Sequence, residues 1–368
     1  MATEFYIGIM SGTSHDGIDA AIVSINGDHL SLTGTAHHSY SAKFRQQLLD
    51  YNQLDNNRSL DQVLPTGREF SNLVRLLIES LLASNNMTAD DITAIGCHGH
   101  TLCHNPLGHL GYSYQLMDGA ALAVDSGIAV VCDFRSGDIA LGGTGAPLAP
   151  AFHRFLFNGR QENLVIANIG GIANITLLPM DDKNAVGFDT GPGNLLMDHC
   201  MEHHFNQRYD NGGETARSGT TDKQLLKNLL SNDYFKLPAP KSTGRELFNS
   251  QWLASQNCDQ IDPKNLLATV TELTAMTIAT EIKQLSVDEG SVLVCGGGSH
   301  NDYLLERLQR HCGDWSVTTT GAAGFNPDWI EAAAFGWLAH QRWHHLPGNL
   351  MSVTGAKRQA ILGAVYLP

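Results

Sequence analysis

An apolar strand, a glycine-rich turn and a second apolar strand occur twice in this chain, and no other feature constrains its fold as tightly. The first copy runs over Phe5–Met10, turns through "SGTSHDG" and returns over Ile18–Ile25. The second is "NLVIANIGGIANITLLP", starting at Asn163. Alternating apolar and β-branched residues around a glycine turn predict a β-hairpin in each case. Each hairpin is followed by a strand that reaches a glycine corner, "DITAIGCHGHT" in the first half and "AVGFDTGPGN" in the second. Internal duplication is the economical reading, with chance likeness between two hairpins as its alternative. A third glycine corner closes the strand in "SVLVCGGGSHN". Such corners at strand ends are where α/β domains hold ligands. Tight turns needing positive φ explain one of them better than all three.

The intervening segments fit an α/β chain. "TGREFSNLVRLLIESLL" has helical spacing, with Phe70, Leu73, Leu77 and Leu81 on one face. "MDGAALAVDSGIAVVCDF" predicts a helix stopped at Gly127 and then a strand. A long helix over 263–285, the helices "DYLLERLQR" and "DWIEAAAFGWLAHQRW", and a closing strand in "RQAILGAVYLP" complete the pattern. A length of 368 residues suits about two domains. With 42% hydrophobic and 16% charged residues, the composition is that of a packed globular chain. A formal charge of −14 argues against nucleic acid or an anionic membrane as partner. It leaves a nucleotide open, because backbone amides and a metal ion act locally. The first residues, "MATEFYIGIM", predict no signal peptide, and seven irregularly spaced cysteines fit reduced thiols in a cytoplasm.

The first turn holds small hydroxyl residues and two carboxylates but no lysine, and no helix follows it. A Walker phosphate loop requires both. The halves resemble the sugar-kinase/heat-shock/actin superfamily, in which two hairpin turns clamp nucleotide phosphates in an interdomain cleft and the third glycine corner faces adenosine. Seven strings narrow the likeness: "GIMSGTSHDGID", "CHGHT", "GGTGAPL", "NIGGIANIT", "GFDTGPGN", "CGGGSHN" and "DWIEAAAFGWLA". In that order they resemble the anhydro-N-acetylmuramic acid kinase family, from Ile7 to the tail. The resemblance implies a duplicated actin-like, ribonuclease H-like α/β fold and a bacterial cytoplasmic homodimer of cell-wall recycling. It also implies that ATP and water open the 1,6-anhydro sugar to give the 6-phosphate and ADP. The expected division is residues 1–138, with 355–368 returning to them, and residues 139–354.

On that resemblance the nucleotide contacts are Gly12, Thr13, Ser14, His15, Asp16, Gly17, Ile18 and Asp19 in the first turn. Asn168, Gly170, Gly171 and Asn174 form the matching turn, and Gly296, Gly297 and Gly298 accept the base or ribose. Backbone amides at a hairpin turn replace the Walker lysine. Asp16 and Asp19 repel phosphate and suit Mg²⁺ held mostly by ATP and water, or sugar hydroxyls. A solvated strand-edge carboxylate is the alternative for Asp19. Asp189 is the expected base for water; helix capping or turn formation is the commoner use of an Asp before glycine. Sugar contacts are expected from Ser14, Asp16, His98, Arg135, Thr144 and Glu331. Arg135 would meet the lactyl carboxylate, with a surface salt bridge as its alternative. For Glu331 the alternative is a first-turn glutamate favoured by the helix dipole, and for Thr144 a plain turn residue. Cys97, His98, His100, Cys103 and His104 suggest zinc, but no second cluster completes a structural site. An ordinary sugar kinase or exopolyphosphatase, a nucleotide-gated assembly protein and a metal hydrolase are the competing functions.

Overall fold

A computed structural model describes residues 2–12, 15–51, 59–181, 185–285 and 287–368. The chain forms two units, residues 1–158 with 329–368, and residues 159–328. The first half contributes the strands Glu4–Ser11 (β1), Gly17–Asn26 (β2), His29–Ser39 (β3), Ala94–Asn105 (β4), Tyr112–Leu116 (β5) and Val130–Cys132 (β6). The second unit contains Leu164–Ile169 (β7), Ile172–Leu178 (β8), Val186–Pro192 (β9), Ser291–Cys295 (β10) and Ser316–Thr319 (β11). Ala364–Tyr366 (β12) returns to the first unit and pairs antiparallel with β6.

The two sheets share one topology. In the first, the order is β12-β6-β4-β1-β2-β3, with β5 paired to β4. β1, β2 and β3 form an antiparallel meander, and β4 runs parallel to β1 and β6 parallel to β4. In the second, the order is β11-β10-β7-β8-β9, with an antiparallel β7-β8-β9 meander and β10 and β11 parallel to β7. A three-strand meander extended by parallel strands on the side of its first strand is the ribonuclease H-like arrangement. It occurs twice here, so the duplication is structural.

Alternation along β1 sends Ile7 and Ile9 to one face and Tyr6 and Gly8 to the other. Ile7 and Ile9 join a core with Phe70, Val74, Leu77, Ile78 and Leu81 of the helix Leu60–Ser84. Leu73 lies at the flank of that stripe and is half-buried. The opposite face takes the helix Ile330–Trp343 at backbone contact. A Cβ on Gly8 would overlap the Ala332 carbonyl, and one on Gly96 the Phe335 carbonyl. Burial on both faces explains why β1 reads as a nearly continuous apolar run.

In the second unit the helix Pro263–Lys283 is buried nearly all round, against the sheet and the helices Leu195–Phe205 and Asp302–Cys312. Its start is capped by Asp262, whose carboxylate accepts from the amides of Lys264 and Asn265. Its Thr274 hydroxyl donates to the carbonyls of Pro192 and Gly193 at 3.0 and 3.1 Å, pinning the "GPG" corner.

Several boundaries differ from the sequence reading. The first unit extends to Asn158 instead of residue 138. It also claims the helix Ile330–Trp343, because that helix packs on β1, β2 and β4. β4 continues well past the expected corner, since β5 pairs with its second half. His98 is therefore a mid-strand residue. Asp189 likewise lies inside β9 and not at its end.

Candidate active site

In the first unit β1 delivers its last residue beside β4, pairing Ser11 with His100. The Ser11 hydroxyl lies 2.7 Å from the Tyr40 hydroxyl and 3.0 Å from His100 Nδ1. The His100 and His15 rings meet edge to face with centroids 4.8 Å apart. Burial, with His15 beside it, pushes His100 down to about 3, so its imidazole is neutral. His15 itself is buried and takes a left-handed backbone, φ 55°, a conformation that costs a non-glycine residue energy. The turn is further anchored by the Tyr40 amide, which donates to the Asp16 carbonyl at 2.9 Å. The Asp16 side chain is exposed. Asp19 stands across β2–β3 from His37 and takes its Nδ1 at 2.7 Å. A Cβ on Gly17 would overlap the His38 carbonyl and the His37 ring. Gly12 and Ile18 flank the turn. Thr13 and Ser14 fall outside the described residues.

Buried His98 and half-buried Arg135 form a second group in this unit. Arg135 Nε and Nη2 both point at His98 Nε2, at 3.2 and 2.8 Å, and Nη1 donates to the Gly145 carbonyl at 2.7 Å. Burial, and then the neighbouring guanidinium, hold His98 well below the usual imidazole range. Nε2 is therefore an acceptor. Desolvation lowers Arg135 to about 10, against the longer-range pull of Glu331 and Asp138. Its fork edge is thus spent on a histidine, and Arg135 is no surface salt bridge. The His98 ring packs on Phe335 at 4.7 Å. Glu331 sits half-buried in the first turn of the helix Ile330–Trp343. The Thr144 hydroxyl donates to the Ala146 carbonyl at 2.7 Å, and its amide donates to Thr354. Asp138, absent from the sequence reading, organises this loop. Its buried carboxylate accepts from the Gly145 amide at 2.8 Å, and from Asn349 Nδ2 and the Thr354 hydroxyl at 2.7 Å each.

In the second unit the expected residues come together across three strands. Asn168 pairs with Asn174, and Asn174 with Asp189. Cross-strand partners share a sheet face. The carbonyls of Gly170 and Gly171 accept from the amides of Asn194, Gly193 and Leu195 at 2.7–3.2 Å, tying the turn to the next helix. The third corner packs against the same turn. A Cβ on Gly296 would lie 2.5 Å from Asn168 Oδ1, one on Gly297 would lie 3.2 Å from Asn194 Nδ2, and one on Gly298 would overlap the Ile169 side chain. Gly296 also has φ 75°. Among the described residues, Asn168 Oδ1 is buried without a hydrogen-bond partner.

Asp189 is half-buried, and its Oδ2 accepts from the Thr243 amide at 3.0 Å and the Ser242 hydroxyl at 3.1 Å. Burial dominates those bonds and, with Glu246 nearby, raises its carboxyl to about 6. Its backbone is held on both sides: the amide donates to the Lys241 carbonyl at 3.1 Å, and Tyr234 donates to its carbonyl at 2.7 Å. Beneath lies a buried ion pair, Lys241 Nζ to Glu281 at 2.6 Å, with Nζ also 4.9 Å from the centre of the Tyr234 ring. Sequence reasoning missed Tyr234, Lys241, Ser242, Thr243 and Glu281. "APKSTGREL" reads as an ordinary polar loop, and Glu281 as one more helix residue. Among the described residues, the Cys97–His104 stretch yields no trio of ligand atoms close enough to share an ion.

A duplicated ribonuclease H-like fold, with a glycine hairpin in each half and a carboxylate presented from a strand, is the architecture of actin-like sugar kinases. The chain belongs to the anhydro-N-acetylmuramic acid kinase family, whose sequence profile matches residues 4–368. The anhydro-N-acetylmuramic acid kinase of Shewanella pealeana is 43% identical over 371 aligned residues, covering 100% of this chain and 99% of that one. The protein of the same name from Coxiella burnetii is 44% identical over 368, covering 100% and 98%. That of Saccharophagus degradans is 44% identical over 375 and covers both chains fully.

Proposed function

We propose that this enzyme uses ATP and water to open 1,6-anhydro-N-acetylmuramic acid, giving N-acetylmuramic acid 6-phosphate and ADP in cell-wall recycling. The observation that carries the mechanism is Asp189, a strand carboxylate raised to about 6 and held through one oxygen. At neutral pH it is ionised yet basic enough to take a proton, as a general base requires. Oδ1 receives the proton of a water that attacks the anomeric carbon. The C1–O6 bond breaks, and O6 takes the γ-phosphoryl group as the bond to ADP breaks. Phosphoryl transfer depends mainly on positioning and charge neutralisation, so no further nucleophile on the protein is needed.

The two hairpin turns, with Gly12–Asp19 and Asn168–Asn174, are assigned to the triphosphate, and Gly296–Gly298 to the nucleoside. The partnerless Asn168 Oδ1 beside Gly296 suits a hydroxyl or a metal-bound water as donor. Mg²⁺, when bound with ATP, neutralises charge on the transferred group. Asp16, exposed at the turn, is the carboxylate we assign to its waters, together with Asp19, one oxygen of which meets His37 Nδ1 at 2.7 Å. His98, Arg135, Thr144 and Glu331 are assigned to the sugar. Arg135 would meet the lactyl carboxylate through Nη hydrogens not spent on His98. A cytoplasmic homodimer completes the proposal; among the described residues no helix is long and apolar enough to cross a membrane.

The test is ADP release with ATP, Mg²⁺ and a panel of sugars. We expect turnover with the anhydro sugar and none with free N-acetylmuramic acid, glucose or water alone. Equal turnover with a free hexose would make this an ordinary sugar kinase, and ADP formation that persists in excess EDTA would remove Mg²⁺ from the proposal.

A further inference from the structure

At the far end of β1 from the glycine turn, Glu4 meets two histidines from the last turn of the helix Ile330–Trp343 and its cap. Glu4, His340 and His344 each offer one ligand atom, and these atoms all lie within 4.8 Å of one another. Spacing of four along a helix puts both imidazoles on one face, and their centroids are 4.5 Å apart. We propose that Glu4, His340 and His344 form a Zn²⁺ site that clips the start of β1 to the end of this helix.

The surrounding hydrogen bonds already orient the ligands. Gln341 Nε2 donates to the Pro347 carbonyl at 2.9 Å, which fixes Oε1 of that amide as the acceptor facing His340 Nδ1 at 3.2 Å. His340 therefore carries its proton on Nδ1, which leaves Nε2 as the ring nitrogen with a lone pair to offer a metal ion. The Tyr6 hydroxyl donates to Glu4 Oε2 at 2.8 Å and fixes that carboxylate. His344 Nε2 lies 2.7 Å from the same oxygen. Outer partners of this kind are what metal-binding histidines and carboxylates require.

Two imidazoles and one carboxylate suit Zn²⁺ and disfavour Mg²⁺ and Ca²⁺, which take oxygen ligands. Around zinc, with bonds near 2.1 Å, neighbouring ligand atoms stand about 3–3.5 Å apart. His344 and Glu4 are 40% and 34% exposed, so side-chain rotation alone can close the trio and leave a position for water. Zinc replaces the proton shared between His344 Nε2 and Glu4, and His344 then holds its proton on Nδ1. The site lies at the opposite end of β1 from the glycine turn, so its role is to brace the first unit and not to take part in phosphoryl transfer.

The experiment titrates EDTA-stripped, full-length protein with Zn²⁺ by calorimetry and with Co²⁺ by visible absorption. We expect saturable binding that raises the melting temperature. His340→Ala and His344→Ala should each lose one equivalent, and Tyr6→Phe should weaken binding about tenfold. His203→Ala, on a different helix, should retain that equivalent. Because His344 is exposed, His344→Gln keeps the fold if an alanine variant does not. ATP-dependent turnover with Mg²⁺ should be the same for stripped wild type and His344→Gln. Absence of zinc uptake by the wild type at about 100 μM, or unchanged stoichiometry in the His344 variants, overturns the site.

Discussion

Asp189 stands directly opposite Asn174 across the β8–β9 ladder, one step beyond the irregularity that separates Asn174 from Ala173. That register places the candidate base on the same sheet face as the second glycine hairpin, whose own ladder pairs Asn174 with Asn168.

Asp189→Asn should reduce kcat by about 10²–10⁴-fold or more, with ATP and sugar affinity retained. Asn keeps an acceptor for the Thr243 amide and the Ser242 hydroxyl but takes no proton. A carboxylate that only supported the loop would cost melting temperature instead of turnover. Measuring kcat, ligand affinity and melting temperature on one preparation separates the two, and near-normal kcat in a folded variant refutes the assignment.

The same carboxyl sets a pH dependence in both rate and stability. Turnover should fall as pH drops through about 6, tracking protonation of Asp189. Its folded value lies above the unfolded value of about 3.9. Between these values the folded state binds more protons than the unfolded one, so stability declines as pH rises. The melting temperature of Asp189→Asn relative to wild type should therefore gain between about pH 4 and pH 6 and hold that gain at pH 7. A difference independent of pH would contradict the raised value.

Lys241→Met should destabilise the second unit by about 3–5 kcal/mol, because it strands the buried Glu281 carboxylate. Combining it with Glu281→Leu should recover much of that loss. If the pair exists to set the loop that holds Asp189, the double variant should recover melting temperature while its kcat remains reduced. Full recovery of both would limit the pair to stability.

Gly298→Ala should raise the KM for ATP with a smaller effect on the KM for sugar. Its Cβ would overlap Ile169 and push the third corner away from the hairpin turn. Unchanged nucleotide binding in this variant would detach the corner from the nucleotide.

The hairpins and corners were legible because their signals are local. Alternating apolar residues around "SGTSHDG" and "NIGG" can be read within about a dozen positions, and Gly127 stopped a helix as expected, with φ 70°. The domain boundary was not legible. Nothing near Ile330 says that its helix packs on Gly8 and Gly96, more than two hundred residues away in sequence.

The candidate site divides along the same line. Local sequence marked Asn174 as a polar residue of a glycine hairpin, whereas Asp189 read there as a turn or helix-capping residue at a glycine corner and became the candidate base only through the family resemblance. Only the folded chain decided that they face each other, because register depends on a ladder closed over many residues. It also decided that Lys241, Ser242 and Thr243 come to Asp189 from a loop some fifty positions later, with Glu281 from a helix beneath. Burial is a property of the assembled core, and burial is what lifts the Asp189 carboxyl to about 6. The sequence determined which groups are present and how each turns locally. The tertiary structure decided which of them lose water together, and so which carboxyl is raised.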